Sequence, residues 1–531
     1  MSHIGKPPCD EGAILYGAAA SPCSGSAHRW TLAAAILGSS MAFVDGTVVN
    51  VALPAIQHEL GATAAQAQWI IESYALFLAS LLLVGGALGD RFGRRLVFML
   101  GTSLFCLAAV ACALAATVGQ LIAARAVQGI GAALLVPGSL ALISATFDPS
   151  ERGRAIGTWS ALSGIAAAAG PVLGGFLVDH YSWTWAFLVN VPVGAILLAI
   201  CIAKVPESRG VLAAGTGVDT AGASLATVAL AGIAYAFIEA PVLGWTAPTV
   251  LAALTAGIVG LALFLVVEAR QHSAMLPLRL FRVRNFSGAN LLTLLLYAAL
   301  GGGLYFFPLN LVQVQGYGAT AAGAAMLPFI AIMFLLSRWA GTLVDRFGAR
   351  IPLVAGPLVA AAGFGLFALP SIGGSYASTF LPAVCVLGLG MAVTVAPLTT
   401  TVMNSVGPDL AGVASGVNNA VSRAAALLAI AVLGMVMTLA FDAALSSRLS
   451  TMELAPALLS TIEEQRQRLA AIAVPAHVDE ATATAVKRAV GEAFVAGFRW
   501  VMVACSALAL IGALAAWLLI VPRAARATSR N

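Results

Sequence analysis

Charge is what this sequence has least of: 9% of its 531 residues are Asp, Glu, Lys or Arg, against about a quarter in soluble domains. A chain so poor in charge cannot clothe a water-facing surface, and with 60% hydrophobic residues a soluble globule is excluded. The few Lys and Arg residues form no stripe that would track phosphates, so the net charge of +5 does not point to nucleic acid. Cysteine is sparse and scattered. Cys106, Cys112, Cys201, Cys385 and Cys505 fall inside apolar runs and no Cys-x-x-Cys pair occurs, which argues against a disulfide framework and a thiolate metal site. None of the 6 histidines falls in the middle of an apolar run, so a histidine proton relay is not expected. Nucleophile–base sets, phosphate loops and metal-ligand spacings are missing as well. Neither an enzyme nor a bound cofactor or metal is expected.

What the chain has in quantity is long apolar runs. Because a hydrocarbon core needs about 20 residues per helix and helices satisfy their own backbone groups where water is absent, the fold class is an all-α integral membrane protein. Runs of spanning length begin near Trp30, Gln68, Leu96, Gln120, Ala155, Trp183, Val218, Thr246, Ala289, Ala322, Ile351, Thr379, Gly412 and Phe494, and predict fourteen transmembrane helices. The connectors after even-numbered spans carry Arg91, Arg94, Arg95, Arg152, Arg154, Lys204, Arg209, Arg270, Arg279, Arg282, Arg284, Arg346 and Arg350, while the short connectors after odd-numbered spans carry no Lys or Arg. With Lys6, Arg29, Arg523, Arg526 and Arg530 in the tails, this positive-inside asymmetry places both termini in the cytoplasm. The polar stretch before Arg29 lacks the apolar core of a signal peptide, so the first span is expected to serve as its own insertion signal.

One motif occurs almost twice. Gly86-Ala-Leu-Gly-Asp90-Arg91-Phe92-Gly93-Arg94-Arg95 returns 255 positions later as Gly341-Thr-Leu-Val-Asp345-Arg346-Phe347-Gly348-Ala349-Arg350. Gln128-Gly129-Ile-Gly131 and Pro149, Gly153, Gly157 return at an offset of 259 as Leu387-Gly388-Leu-Gly390 and Pro408, Gly412, Gly416. Whole halves are therefore duplicated. The twin turns follow spans two and ten, so eight spans separate them where a plain six-helix duplication would give six. Two central spans are extra. The expected organisation is a tail over 1–29, a six-helix bundle over 30–204, a linker with the two extra helices over 205–285, a second six-helix bundle over 286–521 and a tail over 522–531. A charged outer loop over 442–493 should form surface helices; a solvated cap is the favoured reading for it, and a periplasmic adaptor the other.

In these motifs the chain resembles the major facilitator superfamily, and within it the fourteen-helix drug:proton antiporters. The resemblance covers roughly residues 30–440 and 494–521. It implies two six-helix bundles plus two central helices, working by alternating access. The implied activity is export of small amphipathic drugs or toxic compounds across a bacterial cytoplasmic (inner) membrane by a monomer, with the proton gradient as the energy source and no cofactor. The alternatives are a dedicated exporter of one endogenous metabolite or antibiotic, and a non-transporting receptor or lipid-translocating protein on the same scaffold, since a fold alone does not fix function.

Single residues sharpen this. Asp45 lies midway along span one, where a carboxylate costs about 2.5–3.5 kcal/mol on insertion scales and so calls for a cavity or a partner. The resemblance makes it the residue that gains and loses the coupled proton; the plainer reading is a buried ion pair that holds helices together. Glu72, in span two, departs from the family's usual small or hydroxylated residue. It would select cationic substrates or share the proton, or else stay hydrated near the surface. Arg125, before Gln128, Gly129 and Gly131, matches the family's arginine motif. It cannot itself release a proton, so it must tune a carboxylate, Asp45 being the expected partner.

Span five carries Gly164, Gly170, Pro171, Gly174 and Gly175, a small-x-x-x-small face beside a helix-bending proline. It resembles the family's antiporter motif and is the expected gate. Thr184 stands between Trp183 and Trp185 where the family commonly has arginine, which puts an outer ion pair in doubt. Gly86, Asp90, Arg91, Gly93, Arg94, Arg95 and, in the second copy, Asp345, Arg346 and Arg350 would form a cytoplasmic latch, or simply a cationic turn that fixes topology. Arg338 and Arg423 are candidate charge partners within spans ten and thirteen.

Overall fold

The computed structural model describes residues 25–209, 219–271, 276–406, 411–475 and 477–522. Among the described residues fourteen helices are long and apolar enough to cross a membrane, as many as the apolar runs indicate. Their outer surfaces are lined with large apolar side chains such as Leu107, Ile202, Leu335 and Leu518, which face lipid at no hydrophobic cost.

The chain forms two compact units. The first comprises residues 1–275 together with 316–324, the second 276–315 together with 325–531. The first holds α1 (Gly25–Leu60), α2 (Ala64–Phe92), α3 (Arg94–Ala113), α4 (Val118–Thr146), α5 (Pro149–His180), the short α6 (Trp185–Leu188) and α7 (Asn190–Lys204). It also holds the two inserted helices α8 (Thr220–Leu243) and α9 (Pro248–Arg270). The second holds α10 (Arg284–Leu309), which ends in a π turn over Asn310–Val314, then α12 (Leu327–Phe347), α13 (Arg350–Phe367), the short α14 (Tyr376–Thr379), α15 (Leu381–Asn404), α16 (Ala411–Leu449), α17 (Pro456–Glu464) and α18 (Glu480–Leu519). Between α10 and α12 comes the short α11 (Ala319–Ala324), which clusters with the first unit.

Local chemistry sets the helix ends. Thr63 and Gln66 close a reciprocal capping box at the start of α2, and the Thr117 hydroxyl accepts from the Gln120 amide at the start of α4, which satisfies donors that would be unpaired at a helix N-terminus. Gly93 and Gly348 take positive φ, 122° and 76°, at the two Asp-Arg-Phe-Gly turns.

The duplication is visible in the packing. In the first unit α4 lies against both α2 and α3, and in the second α15 lies against α12 and α13. A methyl placed on Gly101 of α3 would come within 2.9 Å of the Gly131 carbonyl of α4, and one on Gly131 within 3.0 Å of the Gly101 carbonyl. The same reciprocal crossing joins Gly356 of α13 and Gly390 of α15, at 2.9 and 2.8 Å. These are the sequence offsets 255 and 259 turned into backbone contact. Only glycine on both sides lets the helices come this close.

One boundary differs from expectation. Residues 442–449 and 480–493 are not loop, because α16 and α18 run on through them. The charges there are matched helix to helix, Arg448 Nε lying 3.2 Å from Glu492 Oε2 and Arg466 Nε 3.8 Å from Asp442 Oδ1, so the helices extend past the apolar zone without stranding a charge. The surface helices expected in the connector are α17 and a 3₁₀ turn over Arg466–Ala471.

Candidate functional site

Asp45 of α1, Arg125 and Gln128 of α4 and Asn190 of α7 meet inside the first unit. Asp45 is 0% exposed and Arg125 1%. Arg125 Nη1 donates to Asp45 Oδ2 at 2.6 Å, and Gln128 Nε2 and Asn190 Nδ2 donate to Asp45 Oδ1 at 2.8 and 3.1 Å. The carboxylate thus receives three donors and a counter-charge. The sequence pairing of Asp45 with Arg125 is the one the structure makes.

Arg125 has other partners too. Its Nη1 also donates to Gln128 Oε1 at 2.7 Å, its Nε donates to the Ile70 carbonyl at 3.1 Å, and its guanidinium carbon lies 4.2 Å from the Tyr74 ring centre. A proton arriving on Asp45 would therefore break the ion pair and still leave the arginine hydrogen-bonded and stacked. Such a cation tolerates the loss of its anion better than one held by the carboxylate alone. Of this network Gln128 is visible in the sequence only as a marker of the repeat, and Tyr74 and Asn190 carry no mark there. Asn190 sits at the first position of α7, separated from α6 only by Val189, which is still helical at φ -57° and ψ -26°. Gln128 was legible, since it follows Arg125 by three residues and shares its helix face.

Glu72 is not part of this network. It is 0% exposed, and neither carboxyl oxygen has a hydrogen-bond partner among the described residues. The hydrated surface reading of Glu72 is therefore set aside.

The span-five motif separates into contacts. A methyl on Gly170 would strike the Thr47 hydroxyl, one on Gly174 would come within 3.0 Å of the Val48 Cα, and one on Gly175 would overlap the Ala319 carbonyl. Gly170 and Gly174 thus seat α5 on α1, and Gly175 seats it on α11. A methyl on Gly164 would meet nothing within 4 Å, so its expected place in the packed gate is corrected: no other helix comes close at this glycine. Pro171, inside α5, turns its carbonyl to Gly323 of α11. Asp179, which the sequence reading missed, accepts from the backbone N–H groups of Ala319 and Thr320 at 3.0 and 2.8 Å and from the Thr320 hydroxyl at 2.6 Å. It caps α11 from the end of α5. Thr184 turns inward to Ser182, its N–H and hydroxyl each 3.3 Å from Ser182 Oγ.

At the first Asp-Arg-Phe-Gly turn Arg94 Nε binds Asp90 Oδ1 at 2.8 Å. Glu207, from the irregular segment after α7, accepts from the backbone N–H groups of Arg95 and Leu96 at 2.8 and 3.1 Å, and Arg95 Nη1 donates to the Val205 carbonyl at 3.0 Å. A carboxylate thereby caps α3. A methyl on Gly93 would lie 2.8 Å from Glu207 Cδ. Gly93→Ala is accordingly expected to cost roughly 1–3 kcal/mol from strained backbone and overlap together, read as a lower unfolding temperature. Measured against Glu207→Ala alone, which already lacks the cap, Gly93→Ala should cost only the strain part.

Gly86 of this turn has only the Pro137 ring edge near it, at 3.7 Å. Arg91 and Arg346 each fold over the adjacent Phe92 and Phe347 rings at 5.4 Å. In the second copy Arg350 lies 4.0 Å from the Trp517 ring centre, joining α13 to α18. The side chains of Asp345 and Arg338 lie outside the described residues. Arg423 is half-buried on α16, where Asn418 donates to Thr293 Oγ1 at 2.7 Å and to Asn290 Oδ1 at 3.1 Å on α10. At the offset of 259, Arg125 and Gln128 correspond to Val384 and Leu387, both buried. Those two positions carry no charge in the second half.

A duplicated bundle of membrane-spanning helices with a buried ion pair among its described residues is the architecture of a membrane transporter, and the family match places the chain in that class. The chain belongs to the Major Facilitator Superfamily, whose family profile matches residues 35–213 and 208–430. It is similar to Multidrug resistance protein Stp of Mycobacterium tuberculosis, 34% identical over 92% of this chain and 91% of that one. It is also similar to the Tetracenomycin C resistance and export protein of Streptomyces glaucescens, 35% identical over 79% and 78%. Among solved structures, a bacterial homolog of the human lysosomal transporter Spinster, inward-facing and unoccupied, has the same fold, with a TM-score of 0.64 at 20% identity over 94% of this chain and 98% of that one. The protein is a transporter of the drug-efflux kind and not an enzyme.

Proposed function

We propose that this protein exports small amphipathic, antibiotic-like molecules from the cytoplasm in exchange for protons, by alternating access, with no cofactor. Asp45 carries the coupled proton and Arg125 is its counter-ion. The observation that carries this reading is the buried Asp45 carboxylate bound by Arg125, Gln128 and Asn190, with a second set of acceptors ready for the arginine. Gly170, Pro171, Gly174 and Gly175 serve as the gate, and the turn of Asp90 and Arg94 as the cytoplasmic latch. The positive-inside distribution supports a bacterial cytoplasmic membrane with both termini inside, and the protein acts as a monomer.

Relatives named for single compounds, such as the Puromycin resistance protein pur8 of Streptomyces alboniger, favour a second reading in which one antibiotic is the substrate. Purified protein in liposomes with an imposed pH gradient, offered cationic, neutral and anionic compounds, tests both. Accumulation of several chemically unrelated compounds supports the broad exporter and accumulation of one supports the narrow. If no compound moves with the proton gradient, the reading fails.

A further inference from the structure

Asn190 is the donor to Asp45 that does not depend on the arginine. It is 1% exposed at the first position of α7, in a helix that packs on both α1 and α3, and three contacts fix it. Its Nδ2 donates to Asp45 Oδ1 at 3.1 Å and to the Phe187 carbonyl at 3.2 Å. Its own carbonyl accepts from the Cys106 thiol of α3 at 3.6 Å. Cys106 has its place because Gly194, one turn further along α7, carries no side chain: a methyl there would overlap the sulfur. Gln128, the other amide on Oδ1, is held differently. Its Oε1 accepts from Arg125 Nη1 at 2.7 Å and from the Cys112 thiol at 3.7 Å, so it is tied to the cation that protonation would release.

The two carboxyl oxygens are therefore unequal. Oδ1 takes both amide N–H groups, and Oδ2 takes Arg125. A proton adding to Oδ1 would evict donors buried with it, and a buried N–H that loses its acceptor is costly. A proton adding to Oδ2 displaces only the arginine, which keeps Gln128 Oε1, the Ile70 carbonyl and the Tyr74 ring. In that step a lone pair of Oδ2 forms the O–H bond, the guanidinium keeps all its protons, and the net charge of the pair rises from zero to +1. Oδ1 becomes the carbonyl oxygen of the acid and still accepts from Asn190. The titratable groups around the pair are Tyr74 of α2 and the Cys106 and Cys112 thiols of α3. At this level α5 meets α1 through Gly170 and Gly174, and α7 brings an amide.

We propose that Asn190 is a positioning residue that holds the Asp45 carboxyl in one place with or without its proton, so that proton uptake moves the arginine and not the acid. The proposal rests on the reading of Asp45 as the proton carrier and adds which member of the ion pair moves. Asn190 also sets the pH of uptake, because its N–H bonds the ionised carboxylate more strongly than the neutral acid.

Infrared difference spectra against pH, taken on the purified full chain in lipid nanodiscs, test it, the Asp45 carboxyl band being the one that Asp45→Asn removes. Asn190→Leu keeps the volume and removes the donor. The band should move to higher frequency, because the acid C=O loses a hydrogen bond, and its midpoint should move to higher pH by about half to one unit, a three- to tenfold gain in proton affinity. Asn190→Asp has the native shape and should raise the midpoint further, since a second acid opposes ionisation of the first; it carries the test if the leucine variant does not fold. Native frequency and midpoint in these variants overturn the proposal, whatever happens to their unfolding temperature. The spectra need no gradient or substrate, so the inference can fail while proton-coupled export stands. A native spectrum with no band that Asp45→Asn removes would instead strike the carrier reading, and the inference with it.

Discussion

Replacing Arg125 by alanine is expected to destabilise the folded protein by about 3–5 kcal/mol, because it leaves the Asp45 carboxylate buried without its counter-charge. Asp45 would keep Gln128 and Asn190 as donors, which is why the loss should stop short of complete unfolding. The same variant should show no export under a pH gradient. Thermal unfolding with and without lipid, and substrate accumulation in liposomes, measure the two effects. Asp45→Asn is the more discriminating partner experiment. An amide fits the same space, and Arg125 retains Gln128, the Ile70 carbonyl and the Tyr74 ring, so the fold should survive. Proton-driven accumulation should vanish while substrate-for-substrate exchange, which needs no proton, continues. Asp45→Asn protein that still accumulates substrate against its gradient would remove Asp45 from the coupling.

The second large effect concerns the glycines of α5. Gly175→Ala should abolish transport, whereas Gly164→Ala should leave both rate and stability as in the native chain. The added methyl at 175 meets the Ala319 carbonyl, backbone against backbone, and at 164 it meets nothing within 4 Å. Overpacking of this kind costs about 1–3 kcal/mol. That lowers the population of the arrangement in which α5 and α11 touch by about five- to a hundredfold. Gly323→Ala, which would strike the Pro171 carbonyl from the other side, should behave like Gly175→Ala. Cysteine-labelling rates at outer positions of α5 and α11, compared with export rates, would check this. Equal behaviour of the 164 and 175 variants would refute the packing account.

Much of this was legible beforehand because membrane insertion leaves a simple record. Apolar length and the distribution of Arg gave fourteen spans and their direction, since hydrocarbon thickness and translocation act on composition alone. The pairing of Asp45 with Arg125 was legible for a related reason: an ion deep in a span must find its opposite, and few opposites existed. The partners that complete the site were harder to see. Gln128 shares a helix face with Arg125, but Asn190 stands 145 positions from Asp45 and meets it through the packing of α7 on α1. Asp179 and Glu207 each cap a helix remote in sequence, and nothing about a lone acid near a helix end says which amides it will meet. Gly164 and Gly175 look alike as residues. Their difference lies in what stands opposite, and that depends on the path of α1 and α11.

The sequence by itself determined the membrane class, the duplication, the two inserted helices and the residues whose charge demanded a partner. These follow from terms that depend on composition, spacing and burial cost. The tertiary structure decided which donors surround Asp45, which backbones the glycines of α5 meet, and that Glu72 lies buried with no hydrogen-bond donor among the described residues. Such outcomes rest on directional contacts a few ångströms long between helices far apart in the chain. The twin Asp-Arg-Phe-Gly turns show the division. Their repetition is written in the residues, but Arg95 docking on Val205 and Arg350 stacking on Trp517 are set by what each turn happens to pack against.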